Sequence, residues 1–420
     1  MSMLDIYRKT IEKNSGTKKD DAFMEQAAIV THYLQLAGNE DMQRTFEDKA
    51  RRILDKWRQV LPEDSAAALA GDLTAEVEGV PFRSMENPAF TFIDLFAGIG
   101  GFRMAMQELG GECVFSSEWD DQARMTYYAN YGDIPFGDIT KEEVKEMIPE
   151  GFDILCAGFP CQAFSLAGKR RGFEETRGTL FFDVAEILRR KQPKAVFLEN
   201  VKGLAIHDKG RTLRVILETL DEVGYVVPDP EIVNAMYFGV PQHRERIYIV
   251  GFRKDLGIAK EDFTYPEQNE VTRHFIDIRE ENPVPARYYL STRYWETLEN
   301  HKARHAAKGN GFGYEIIPDD GISNAIVVGG MGRERNLVID KRQKDLKPTT
   351  RIKGTVNTMG IRRMTPREWA RLQGFPDNFR IVAADASAYK QFGNSVAVPA
   401  IKATAEQMLM TMQAHHAINI

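Results

Sequence analysis

The sequence predicts an α/β protein: a doubly wound, Rossmann-like sheet domain with a smaller second domain and a helical N-terminal extension. Three observations carry this. From Phe90, short apolar runs (FTFIDLF, CVFSS, FDILCAGF, AVFLEN, RIYIVGF) alternate with helical segments such as EILRRKQ and TLRVILETLDEVG. Between about Asp255 and Gly360 the alternation stops, and stretches rich in glycine and charge take over, among them KGNGFGY and VVGGMGRERNLV. Before Phe90, Phe23, Ala27, Val30 and Leu34, then Phe46, Ala50, Ile53 and Trp57, recur at helical spacing, with Gly38 between the two stripes.

These signals divide the chain into a helical extension and linker over 1–88, a sheet domain over 89–254 plus 361–420, and a second domain over 255–360. The linker is read from PEDSAAALAGDLTAEVEGVPFRSMENP, an acidic segment punctuated by Pro and Gly. The return to the sheet domain is read from TPREWARLQGF and AYKQFGNSVAVPAIKATAEQM, where helical patterning resumes.

With 420 residues, 43% of them hydrophobic, the chain has enough apolar material for a large core. No stretch reaches the uninterrupted apolar length of a membrane span, and MSMLDIYRKT is charged and polar, unlike a secretory signal. An intracellular protein without a membrane partner is therefore expected. Three cysteines and scattered histidines give neither a disulfide framework nor a zinc pattern, so no metal is expected. A net charge of -6 argues weakly against nucleic acid as a partner. Locally, however, residues 302–363 carry thirteen Lys or Arg against six Asp or Glu, an excess of 13 - 6 = +7, which suits either a DNA-facing surface or a solvated face.

The residues that carry chemistry sit at the ends of the apolar runs. DLFAGIGGF is a strand entering a glycine turn and then a helix, the place where a backbone can approach a ligand at the carboxyl edge of a sheet. At the end of the next strand, Glu118 is placed to take two ribose hydroxyls and Trp119 to stack on an adenine; alone, Trp119 would read as a core aromatic. Asp138 ends a third segment and is a candidate acceptor for the adenine amino group. No lysine of the P-loop type follows the glycines, so a ligand without a di- or triphosphate fits better.

GFPCQAFS places Cys161 at the carboxyl end of another strand, facing the same crevice, where a thiolate can act as nucleophile. Cys113 and Cys156 read instead as small buried apolar residues. FLENV adds an acid in that crevice, Glu199, with Asn200 to fix its geometry. In QHRER, alternation puts Arg244 and Arg246 on one face, to hold phosphate or a base edge, or equally to make exposed salt bridges.

Taken in order, DLFAGIGGF, SEWD, GDI, GFPCQAFS, RGTLFFDV, LENV, QHRERIYIVGF, RMTPREWARLQGFP and FGNSVAVP resemble the successive motifs of the DNA cytosine-5 methyltransferases, from about Phe92 to Pro399. The resemblance implies a Rossmann-like methyltransferase domain, S-adenosyl-L-methionine as cofactor and double-stranded DNA as partner. It makes Cys161 the thiolate that adds to cytosine C6, Glu199 the acid at ring N3, and Arg246, with Arg244, the holder of the carbonyl side and nearby phosphate, on a cytosine flipped out of the duplex. In the cofactor site it carries over Phe96, Gly98, Gly100, Glu118, Trp119, Asp138, Ile139, Pro160, Leu180, Asn394, Ser395 and Val396. In the basic loop QAFSLAGKRRGFEETRG, Ser165, Lys169, Arg170 and Arg171 would contact phosphate as the loop closes on DNA.

The second domain corresponds to the family's target-recognition lobe. Its KGNGFGY segment is similar to the Dcm-like branch, which implies a short site of the CCNGG or CCWGG type, and Arg333 and Arg335 are candidate guanine readers. The resemblance further implies a restriction-modification or orphan methylase of a prokaryotic cytoplasm, nucleoid-associated and monomeric, with any cognate restriction endonuclease acting separately. The alternative is a tRNA cytosine-5 methyltransferase, whose recognition lobe is more compact.

Overall fold

Among the described residues of the computed structural model, four helices precede the first strand: α1 (Met3–Ser15), α2 (Asp20–Gln35), α3 (Glu40–Val60) and α4 (Glu63–Glu78). The structure describes all residues except 1, 16–19, 86, 161–179, 312, 330–331, 348–353 and 419–420. The two stripes expected from spacing are α2 and α3; Asn39 caps α3 by accepting from the Met42 amide. The expected linker is corrected by α4. Leu69, Leu73 and Val77 recur every fourth residue and are buried, Glu63 and Asp64 suit the positive end of the helix dipole, and Pro62 and Gly79 stand at its ends.

After α4 come β1 (Phe90–Leu95), α5 (Gly101–Glu108), β2 (Gly111–Ser117), α6 (Asp121–Tyr131), α7 (Glu142–Lys145), β3 (Ile154–Gly158), α8 (Leu180–Lys191), β4 (Ala195–Val201), α9 (Arg211–Glu222), β5 (Tyr225–Val226), β6 (Glu231–Asn234), β7 (Gln242–His243) and β8 (Glu245–Arg253). The main sheet runs β2-β1-β3-β4-β8-β5, parallel through β4, with β8 antiparallel to β4 and to β5. Strand order reverses around β1, so the crevice lies at the carboxyl ends of β1 and β3. Because β8 runs the other way, its first residues meet the last residues of β4: Val201 pairs with Arg246.

Further along are α10 (Thr292–Ala306), β9 (Glu315–Ile317), β10 (Ser323–Asn324), β11 (Asn336–Ile339), β12 (Ile361–Arg363), α11 (Pro366–Leu372), α12 (Asp385–Asn394) and α13 (Val398–Ala414). The chain divides into two compact units, one of residues 1–232, 246–266 and 401–420, the other of residues 233–245 and 267–400. Among the described residues no helix is long and apolar enough to cross a membrane.

In the first unit, one apolar core takes in both the N-terminal helices and the sheet. Phe46 of α3, His32 of α2, Phe115 of β2 and Phe136 pack ring against ring, Phe115 and Phe136 stacked at 5.0 Å. Helix α2 also serves the outer edge of β2. His32 accepts from the Ser116 amide through Nε2 and bonds the Ala28 carbonyl through Nδ1, which defines the neutral tautomer; burial lowers its affinity for a second proton.

In the second unit, β11 pairs parallel with β9 and antiparallel with β12. Residues 361–400, expected with the sheet domain, fall in this unit. The cause is local: buried Arg362 of β12 bonds both Asp340 and Glu368, and the Gln373 amide donates to the Phe392 and Ser395 carbonyls.

Candidate active site

The turn between β1 and α5 is built on left-handed backbone at Phe96, Gly98 and Gly100 (φ 55°, 56° and 84°). At Gly100 this is obligatory, since a Cβ would come within 2.3 Å of the Tyr131 ring, whose hydroxyl donates to the Gly100 carbonyl at 2.7 Å. Phe96 has a side chain and adopts the same region, a strained conformation of the kind found where a ligand is clamped.

Glu118 closes this turn from the end of β2. One carboxylate oxygen accepts from the Gly98 amide and the other from the Asp120 amide, both at 2.8 Å, leaving further lone pairs for hydroxyl donors. Burial raises its pKa, against the pull of those amides. Trp119 beside it is 83% exposed, which excludes a core role and leaves its indole face free for an aromatic ligand. Asp138 is held by the amide and hydroxyl of Thr140, and Ile139 is buried beside it. Pro160 is exposed and Leu180 half-buried at the start of α8.

Asp94, not among the residues expected at the site, sits within β1 next to this turn. It is fully buried, and neither carboxyl oxygen has a hydrogen-bond partner among the described residues. Burial pushes its pKa up to about 8, only partly offset by the charge of the Arg103 guanidinium. The signal was an acid inside an otherwise apolar strand. The glycine cradle, Glu118 and Trp119 fit a cofactor with a ribose and an aromatic base.

At the other side of the crevice, Gly158 of β3 pairs with Glu199 of β4. The Asn200 amide donates to the Phe159 carbonyl at 2.7 Å while its oxygen accepts from the Val201 amide, so β4 pins the backbone just before Pro160. Arg246 lies with its Nε 3.3 Å from the Glu199 carboxylate, and both are largely buried. Cys161, Ser165, Lys169, Arg170 and Arg171 lie outside the described residues. The remaining cysteines are buried in strands, where burial pushes the Cys113 thiol up to about 12 and Cys156 well above its ordinary range. Neither is a thiolate at neutral pH.

The expected shared face of Arg244 and Arg246 is corrected. Arg244 is buried in the second unit, where its guanidinium donates to the Ile326 and Ser395 carbonyls at 3.1 and 2.6 Å, an arrangement that holds backbone rather than phosphate. It thereby fixes the end of α12, where Asn394 is exposed and Ser395 and Val396 are buried. Arg333 and Arg335 are exposed; Arg333 lies over the Tyr389 ring at 5.7 Å, and Glu334 between them is turned inward toward Arg363.

A parallel sheet ending in such a turn, with an acid–arginine pair across the crevice, has the architecture of a Rossmann-like methyltransferase. The sequence model of the family described as C-5 cytosine-specific DNA methylase matches residues 90–410, and the chain belongs to that family. The Type II methyltransferase M.HpaII of Haemophilus parainfluenzae is 72% identical over 333 residues, covering 78% of this chain and 92% of that relative. The DNA-cytosine methyltransferase of Escherichia coli K12 is 40% identical over 370 residues, covering 76% and 77%. Among solved structures, the S. pombe Dnmt2 methyltransferase shares the fold with a TM-score of 0.56 at 19% identity, covering 76% of this chain and 98% of that one. The protein is thus a DNA cytosine-5 methyltransferase dependent on S-adenosylmethionine.

Proposed function

We propose that the protein methylates C5 of a cytosine flipped out of a short duplex site of the CCNGG or CCWGG type, through a covalent adduct at Cys161. The observation that carries this reading is the sheet edge itself: Glu199 and Arg246 face one another while Asn200 holds the Phe159 carbonyl two residues before the cysteine.

Cys161, as thiolate, donates its electron pair to C6 of the ring, and the C5=C6 π pair is pushed toward N3 and the carbonyl. Glu199 in its acid form gives a proton to N3, so the charge is neutralised as it appears and C5 becomes an enamine carbon. Arg246 orients the Glu199 carboxyl and holds the cytosine carbonyl. S-adenosylmethionine supplies the methyl carbon that C5 takes. A base then removes the C5 proton, the C6–S bond breaks, Cys161 leaves as thiolate, and N3 returns its proton to Glu199.

For the cofactor, the turn at Phe96, Gly98 and Gly100 receives the backbone-facing side, Glu118 the ribose hydroxyls, Trp119 the adenine face and Asp138 its amino group. Ile139, Pro160 and Leu180 complete the pocket, and Asn394, Ser395 and Val396 keep the cofactor role that their motif implies. Ser165 and Lys169 to Arg171 bind phosphate, and Arg333 and Arg335 read guanines. The Type II designation of M.HpaII supports a role in a restriction-modification system; the enzyme is read as monomeric and cytoplasmic, with any endonuclease acting separately.

The test is to incubate the purified protein with S-adenosylmethionine and unmethylated genomic DNA and to map 5-methylcytosine at base resolution. Methylation confined to one motif of the CCNGG or CCWGG type is expected. A motif of another kind overturns the site. Methyl transfer to a tRNA pool with DNA left unmodified overturns the substrate.

A further inference from the structure

We infer that the N-terminal helical extension is a positioning device for the cofactor site, acting through Glu25 of α2. The inference rests on the reading of Asp138 as the adenine contact and concerns what holds the turn that carries it.

Residues 135–138 form no strand of their own but add to the outer edge of β2. Phe136 donates its amide to the Ser116 carbonyl at 2.8 Å and accepts from the Glu118 amide at 2.7 Å. Two cofactor acids, Glu118 and Asp138, are therefore tied to one short segment, and whatever fixes that segment fixes both. The clamp comes from two sides. Arg124 of α6 is buried and donates through Nε to the Pro135 carbonyl at 2.8 Å. Glu25 accepts from the Gly137 amide with its two oxygens, at 3.1 and 3.3 Å, and from Arg124 at 2.8 Å. One carboxylate thus joins both ends of the turn, immediately before Asp138.

Gly137 is shaped to this contact. A Cβ there would stand 2.8 Å from the Glu25 carboxylate, so the missing side chain makes room for the approach. The Phe136 ring, between the two clamped peptides, is buried against His32 of α2 and Phe46 of α3, so the helices hold the segment by packing as well. Glu25 itself is about one-third exposed at the margin of the core, which separates its role from core stability. In physical terms, the extension prepays the ordering of a loop that cofactor binding would otherwise have to order.

The test compares Glu25→Ala, Glu25→Gln, Gly137→Ala and Asp138→Ala in the full-length protein. S-adenosylmethionine affinity is measured by calorimetry, with its KM, kcat, duplex affinity, and melting temperature with and without cofactor. Glu25→Ala is expected to raise Kd and KM for S-adenosylmethionine about tenfold, leave kcat and duplex affinity within about twofold, and shrink the cofactor-induced rise in melting temperature. Glu25→Gln, which keeps an acceptor for the Gly137 amide, should recover part of that loss, and Gly137→Ala should reproduce it by displacing the carboxylate. A role in stability alone would lower the melting temperature without cofactor and leave Kd unchanged, which overturns the inference. Normal Kd in Glu25→Ala and Gly137→Ala beside weakened binding in Asp138→Ala overturns it as well. Normal Kd in Asp138→Ala beside weakened binding in Glu25→Ala instead overturns the adenine role of Asp138 and leaves the clamp standing.

Discussion

Arg246 stands at the start of a strand that runs against its neighbours, and this reversal alone brings its guanidinium to the Glu199 carboxylate at the end of β4. A parallel strand in the same place would have delivered its last residues to that edge. The pair keeps an acid oriented in a largely buried crevice, where an unpaired carboxylate would be costly.

Glu199→Gln preserves the shape of this pair and removes its proton. The methylation rate should fall on the order of 10²-fold or more, with cofactor affinity unchanged. Near-normal turnover in a radiolabelled methyl-transfer assay would remove Glu199 from the chemistry.

Cys161→Ser should abolish methyl transfer while leaving duplex binding measurable by gel shift, because a hydroxyl does not ionise at neutral pH. Turnover retained at a measurable fraction of the parent's would exclude the covalent adduct.

Asn200→Ala frees the Phe159 carbonyl and loosens the backbone leading to Pro160 and Cys161. We expect kcat to drop by about tenfold or more, as misplacement of a nucleophile does, with cofactor KM little changed. A variant with unaltered kcat would show that the Phe159 anchor is dispensable.

Gly100→Ala forces a Cβ into the Tyr131 ring on a left-handed backbone. The substitution should destabilise the protein by roughly 1–3 kcal/mol and abolish tight cofactor binding. Denaturant titration and calorimetry check both; a stable variant with normal affinity would contradict the contact between Gly100 and Tyr131.

Asp94 sets a pH dependence. Its folded pKa, raised to about 8, lies above the value of about 4 for an unfolded aspartate, so its contribution is fully present below about pH 4 and is lost as the pH rises toward 8. Asp94→Asn should therefore raise the melting temperature at pH 8 relative to the parent, converge with it at low pH, and flatten the curve between. Parallel curves for the two proteins would show that Asp94 does not titrate in this range.

What the sequence revealed followed from how locally each feature is written. The placement of Glu118 and Trp119 just past a strand was legible because the apolar run stops there, and that of Glu199 within a strand because it breaks an apolar run. Helix α4 was obscured by acidic composition, although its leucines mark a buried stripe once the helix is known. Arg244 and Arg246 look equivalent by alternation, yet long-range carbonyls at residues 326 and 395 claim the first while Glu199 takes the second. The clamp of Glu25 on Gly137 spans more than a hundred residues of sequence, and no periodicity encodes such a contact.

The cover on the outer edge of β2 also bears on biosynthesis. Helix α2, which supplies His32 to that edge, lies upstream of the strand it shields. A ribosome delivers the shield before the strand, so the growing sheet need not present a bare rim to other nascent chains, a known route to aggregation. A circular permutant that moves residues 1–78 behind the sheet should reach the same final structure but yield less soluble protein during translation; equal yields would show that the order of delivery is immaterial.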